Sequence, residues 1–226
     1  MNRKSPESEK LEKEIDHIKK TYNVKTIKEN PLGKRPSWDE SFMGQAIKNS
    51  RRSSCWFVSS GTVITQNNNI VATGYNGASP KRNYNCLEKG CSKENNGLKY
   101  EESLDSGECI GIHSEMNALG HLNKINSSKL DLYTTISPCP NCAKNLEPYG
   151  IERVFFKKPY IVKSKDLKEF EKSMKHFYDA GIKTYHFDLS LLRYWDIDSH
   201  RKWKKMDIWN SKEYEKARQI IKNWDK

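Results

Sequence analysis

The stretch "LDLYTTISPCPNCAKNLEPYGIERVFF", residues 130–156, decides the fold. Residues 130–136 and 152–156 are rich in β-branched and aromatic side chains and read as strands. Between them, 141–149 has the length and composition of a short helix. Two strands joined through a helix in one sheet run parallel, because a tight turn cannot return the chain in the same direction. The alternation continues outward, with a helix expected over 112–125, another over 165–179 and a short strand near 183–186. Upstream, "FVSSGTVITQNNNIVATGYNG" (57–77) reads as a β-hairpin, two β-rich runs around the turn-forming Gln66-Asn67-Asn68-Asn69. "SWDESFMGQAIKNS" (37–50) predicts a helix over about 38–51, with Ser37 as N-cap, Glu40 closing a capping box, and Phe42, Met43 and Ala46 on one face. The expectation is an α/β fold in three layers, helices on both faces of a mixed sheet of about five strands.

The ends read differently. Residues 1–34 look like a polar arm, although Leu11, Ile15 and Ile18 stand at helical spacing before the break marked by Pro31, Gly33 and Pro36. Residues 35–186 form the expected main domain. Within it, 77–110 holds cysteines and little periodicity, and so long a loop needs something to tie it down. The tail 187–226 is basic and carries Trp195, Trp203, Trp209 and Trp224; the first three read as packing residues of a helical cap or an oligomer contact rather than as a base-stacking surface.

The net charge of +11 is unevenly spread: residues 1–35 contribute +4, 163–226 contribute +5, and 36–162 only +2. A polynucleotide would need a basic channel reaching the centre, so the near-neutral middle favours a small ligand. No apolar run approaches the roughly 20 residues of a membrane span, and no secretory signal follows Met1, so a soluble, cytoplasmic protein is expected. In such a compartment, six cysteines point to metal rather than to disulfides.

The chemistry gathers in "GIHSEMNALGHL" (111–122) and "PCPNC" (138–142). His113-x-Glu115 alone arises often by chance, and Cys139-x-x-Cys142 alone is moderately specific. Both at helix starts with one strand between them form a stronger signal. The two cysteines sit one turn apart, so both sulfurs can face one point, where a helix N-terminus and a metal favour thiolate. With His113 they give one nitrogen and two sulfurs around zinc and leave a fourth position for chemistry. Glu115, which is not a ligand in this reading, can take the proton of an activated water. The combination H-x-E…P-C-x-x-C marks zinc-dependent deaminases. The alternative is a structural zinc knuckle in which Glu115 merely complements the helix dipole.

Residues 35–186 resemble the deoxycytidylate (dCMP) deaminases of the cytidine deaminase superfamily. The resemblance lies in "RPSWDESFM" (35–43), "VATGYNG" (71–77), "GIHSEMNAL" (111–119), "TTISPCPNCAKNL" (134–146) and "GIERVFF" (150–156). It implies a cytidine deaminase-like fold and an enzyme, a hydrolase acting on a cyclic amidine, that converts dCMP to dUMP and ammonia. Alternatives are a bifunctional dCMP/dCTP deaminase or a cytosine or adenine deaminase acting on single-stranded nucleic acid. By the same resemblance, Asn76 would bond the sugar, Ser137 would hold the pyrimidine or its amine, and Tyr160 would lie against base or sugar. Cys55, Cys86, Cys91 and Cys109 would bind a second, structural zinc that ties down the 77–110 insertion. A hexamer is implied, with dCTP and dTTP as effectors near Gly74, Tyr75 and Gly77 and Mg2+ accompanying the triphosphate. The family commonly places a basic residue just before the first hairpin strand. Here that stretch is "WFVSS" (56–60), so Lys81 and Arg82 are the candidates for phosphate.

Overall fold

A computed structural model describes residues 5–30, 35–98, 109–122, 129–161 and 167–188. Its main sheet is mixed and built from six strands: β1 Lys25–Lys28, β2 Gly61–Gln66, β3 Asn69–Tyr75, β6 Leu130–Ile136, β7 Ile151–Lys158 and β8 Lys183–Asp188. They lie side by side in the order β1-β8-β7-β6-β2-β3. β6, β7, β8 and β1 are parallel, as expected for strands joined by helices, while β2 runs antiparallel to both β3 and β6. The β2–β3 hairpin turns on Asn67 and Asn68, both at positive φ (49° and 60°). That is the two-residue turn whose twist matches the strands, and asparagine tolerates it better than other side chains do.

Strand alternation sends consecutive residues to opposite faces, and the core divides accordingly. Ile64, Leu132, Val154 and Phe156 pack against α1 (Pro6–Thr21), α5 (Ser114–Gly120), α6 (Pro140–Leu146) and α7 (Lys168–Asp179). Their neighbours Val63, Tyr133 and Phe155 face α2 (Trp38–Ser50) through Phe42, Met43, Ala46 and Ile47. Stacked rings run from Tyr133 to Phe155 (4.4 Å) and from Phe155 to Tyr185 (4.6 Å) across three strands on that face. The Tyr133 hydroxyl donates to Asp39 Oδ1 (2.6 Å), fastening the start of α2 to the middle of the sheet. The capping box of α2 forms as expected, Glu40 N–H donating to Ser37 Oγ at 3.2 Å and Ser37 N–H to the Glu40 carboxylate.

Four expectations are refined. The sheet has six strands rather than about five, because Lys25–Lys28 adds a parallel edge strand beside β8. The N-terminal stretch is therefore built into the layers: Ile18 is buried, and Leu11 and Ile15 pack on the core. Residues 77–110 are not structureless where they are described. They hold a 3₁₀ turn at Pro80–Arg82 and two single-turn helices, α3 (Cys86–Lys89) and α4 (Ser92–Asn95). The insertion is closed at its base by a two-residue ladder, β4 (Gly77–Ala78) against β5 (Gly111–Ile112). Helix α5 ends at Gly120, short of 125, and residues 123–128 lie outside the described part, as does the tail from 189. Among the described residues no helix is long and apolar enough to cross a membrane.

Candidate active site

Two helix starts converge on one point. His113 is the N-cap of α5 and Cys139 the N-cap of α6, each in extended backbone. Pro140 at the first helical position of α6 presets the turn, and Cys142 N–H points at Cys139 Sγ (3.5 Å). Helix α5 is pinned to β3 by Asn117 Nδ2 donating to Tyr75 O (2.8 Å) and by His121 Nδ1 at 3.0 Å from Thr73 O. Ser173 of α7 donates its hydroxyl to Pro138 O (2.6 Å), steadying the loop into α6.

His113 Nδ1 lies 3.5 Å from Cys139 Sγ and 3.4 Å from Cys142 Sγ. The three ligand atoms lie within 4.8 Å of one another, and no other such group of three occurs among the described residues. Zinc held tetrahedrally at ordinary Zn–N and Zn–S lengths separates nitrogen from sulfur by about 3.5 Å. The donor set fits the metal in both chemistry and spacing.

The electrostatics agree. Hydrogen bonds from Cys142 and His113 pull the Cys139 thiol down to about 4. The bond to Cys139 lifts His113 to about 9, against the opposing pull of burial. The Cys142 thiol is pushed up by its hydrogen bond to Cys139 and by burial. The cluster thus holds protons at positions where a cation would replace them. Glu115, 4% exposed, has its carboxyl pushed up chiefly by burial, while the His113 charge draws it back.

The other expected site residues are distributed as follows. Ser137 is buried beside the cluster's loop, and its Oγ accepts from Tyr160 N–H (2.9 Å), so these two stand together. Asn76 is committed to the backbone: its Oδ1 accepts from Ser60 N–H (2.7 Å) and its Nδ2 donates to Val58 O (2.9 Å). The Cys86 thiol is pushed up by burial, and Cys55, Cys91 and Cys109 push it the same way, but no three of these four bring their sulfurs to metal-ligand spacing of one another. No disulfide joins any of the six cysteines. Arg82 lines a cavity of about 360 Å³ in the insertion with Tyr84, Ser92 and Asn95, and none of the His113 cluster lines it. Lys81 precedes it in the same 3₁₀ turn. The Arg52 guanidinium sits 5.2 Å over the ring of Tyr75, between Gly74 and Gly77, a cation with no role assigned from sequence.

Sequence reasoning also misses a set of buried hydroxyls under Glu115: Ser60, Thr62, Ser114, Thr134 and Thr135. The one available signal is the serine between His113 and Glu115, which by itself reads as an ordinary residue of a first helical turn.

Residues 36–158 match the family model described as the cytidine and deoxycytidylate deaminase zinc-binding region. The chain belongs to that family. The deoxycytidylate deaminase of Schizosaccharomyces pombe is 34% identical over 137 residues, covering 60% of this chain and 41% of that protein. The deoxycytidylate deaminase of Mycobacterium phage D29 is 33% identical over 127 residues, covering 55% of this chain and 97% of that protein. Against the Saccharomyces cerevisiae deoxycytidylate deaminase the coverage is 46% of that protein, so this deaminase-family chain spans less than half the length of its yeast relatives. Among solved structures, the dCMP deaminase from the cyanophage S-TIM5, in complex with dCMP and dUMP, is 23% identical at a TM-score of 0.49, covering 69% of this chain and 99% of that one.

Proposed function

We propose that the protein hydrolyses dCMP to dUMP and ammonia. The observation that carries this reading is a buried carboxylate, Glu115, in electrostatic contact with a His113/Cys139/Cys142 triad spaced for zinc. A purely structural metal has no use for a buried acid, whose ionised form is costly to bury. Zinc, when bound, is the Lewis acid that makes water a nucleophile near neutral pH. His113, Cys139 and Cys142 would hold it. Glu115 takes one proton of the attacking water and delivers it to the pyrimidine ring nitrogen, then takes the second from the added hydroxyl as it becomes the carbonyl and passes it to the departing amine as ammonia leaves. The choice of dCMP is supported by the family and by relatives that carry that activity in their names.

Ser137 and Tyr160 stand together as the candidate contacts for base and sugar, and Asn76 acts by holding the backbone at Ser60. Cys55, Cys86, Cys91 and Cys109 bind a second, structural zinc; the influence of the other three thiols on Cys86 supports this, and their sulfurs must draw closer to take the ion. The "GYNG" turn with Lys81 and Arg82 is the candidate region for a dCTP or dTTP effector with Mg2+, in a cytoplasmic homo-oligomer.

Ammonia release from dCMP, dCTP, deoxycytidine and a cytosine-containing oligonucleotide, with and without added dCTP, tests the substrate. Turnover of dCMP well above the others is expected, and turnover of the oligonucleotide alone overturns the reading. Metal analysis should give two zinc ions per chain in the wild type and one in Cys86→Ser. A fully loaded wild type with a single zinc removes the structural site.

A further inference from the structure

Beneath Glu115 lies a connected set of hydroxyls drawn from β2 and the residue before it, from β6 and from α5. Ser114 Oγ donates to Glu115 Oε2 at 3.0 Å. Ser114 Oγ in turn lies 2.8 Å from Ser60 Oγ and 2.9 Å from Thr62 Oγ1, which donates to it. A hydroxyl has one proton to give and two lone pairs to receive. When Glu115 is ionised, Ser114 gives its proton to the carboxylate and accepts from both Thr62 and Ser60, which makes Ser60 the donor in their contact. Every bond at Ser114 therefore points one way, toward Glu115. Longer contacts extend the set behind it: Thr135 Oγ1 stands 3.4 Å from Ser60 Oγ and itself accepts from Gly61 N–H (3.1 Å). Ser114 and Thr62 are fully buried, and Ser60 is 7% exposed, so water does not compete for these groups.

We propose that Ser114 is a positioning residue for Glu115, relaying the hydrogen bonds of Thr62 and Ser60 so that the carboxylate faces the metal site in one orientation. The proposal rests on the deaminase reading above and deepens it. A glutamate side chain has three rotatable bonds, and a proton carrier misplaced by about 1 Å can lose on the order of 100-fold in rate. Aligned hydroxyls polarise one another, so the last bond, to the carboxylate, is the one they strengthen. The "GYNG" turn enters the same arrangement. Asn76 Oδ1 accepts from Ser60 N–H, and Asn76 N–H donates to Ser60 O (3.1 Å), so the turn clamps the residue that feeds Ser114.

The test is a double-mutant cycle on the zinc-loaded and the zinc-free full chain. Ser114→Ala should keep its zinc content and lower kcat by roughly 10- to 100-fold, the size of one lost hydrogen bond to a charged group, with KM changed by less than about 2-fold. Thr62→Val should lower kcat by roughly 3-fold in the wild-type background. In the Ser114→Ala background it should lower it no further, because the atom through which Thr62 acts is gone. In the zinc-free protein, thermal melting should show Thr62→Val destabilising on its own and less so beside Ser114→Ala, where the Thr62 hydroxyl keeps only its longer contact to Thr134 Oγ1 (3.3 Å). Additive losses in both readouts overturn the relay, as does wild-type kcat in Ser114→Ala. A wild type that deaminates none of the substrates overturns the functional reading instead, and the melting cycle still decides whether the hydroxyls are coupled.

Discussion

Glu115→Gln should bind zinc as the wild type does, fold as well or better, and lose roughly 10²- to 10⁴-fold in kcat, the range general acid–base catalysis supplies. The change keeps the side chain's volume and an oxygen that can accept from Ser114 Oγ, so the hydroxyl set stays satisfied. What it removes is the capacity to take and return a proton. The stability expectation follows from burial. Glu115 is 4% exposed and its carboxyl is pushed up, with desolvation the largest cause. A carboxyl raised on folding contributes stability below its unfolded pKa and loses it as pH rises toward the folded value. At neutral pH the ionised group is therefore a cost that the neutral amide escapes. Melting of the zinc-free protein at pH 7 should show Glu115→Gln at or above the wild type, with the difference shrinking as pH falls. A variant that retains full turnover removes Glu115 from its role, and a variant that loses zinc shows that the carboxylate helps to hold the metal.

This costly buried acid and its metal triad are legible in the sequence for a simple reason. Histidine, cysteine and glutamate at helix starts are conspicuous residue types, and their i, i+2 and i, i+3 spacings are local. The strands from 130 to 158 and helix α2 are legible for the same reason, since strand period, capping box and turn residues all lie within a few positions of one another. The edge strand at Lys25–Lys28 is not, because it needs only backbone pairing on one side. Its exposed lysines, which discourage further strands from adding there, read as polar arm. The hydroxyls under Glu115 are hidden differently. Thr62 meets Thr134 only because β2 and β6 pair in that register, and Ser60 meets Ser114 only because α5 lies against the hairpin. No spacing along the chain encodes either meeting. The insertion illustrates a third case: its closure depends on Gly77 pairing with Ile112, 35 positions apart by residue number, and two-residue ladders leave no periodic trace.

Gly74→Ala should be strongly destabilising and should damage the site. A Cβ at position 74 would stand 2.2 Å from Ser114 O and 2.4 Å from Ala118 N. Both are backbone atoms of α5, so no side chain can swing aside, and strand and helix must separate. Helix α5 carries His113 at its cap and Glu115 in its first turn, so relief of the clash comes at the expense of the metal triad. A cost of about 3 kcal/mol or more is expected, at the upper end for overpacking, because the obstacle is main chain. Folded protein that survives should bind zinc more weakly and turn over more slowly. Gly61 provides the comparison. Its Cβ would meet Ala46 O at 2.2 Å and Ser50 N at 2.4 Å, in α2 on the opposite face. Gly61→Ala should destabilise comparably while acting on the sheet face away from α5. Gly44 fixes the sign of the argument: it lies inside α2, and a Cβ there would meet nothing within 4 Å. Gly44→Ala should therefore stabilise by about 0.5–1 kcal/mol through the unfolded chain and helix propensity. Denaturant melts of the three variants separate the cases. If Gly74→Ala is as stable as the wild type, α5 is not seated on β3 as closely as the geometry requires, and the placement of His113 over Cys139 and Cys142 loses its physical basis.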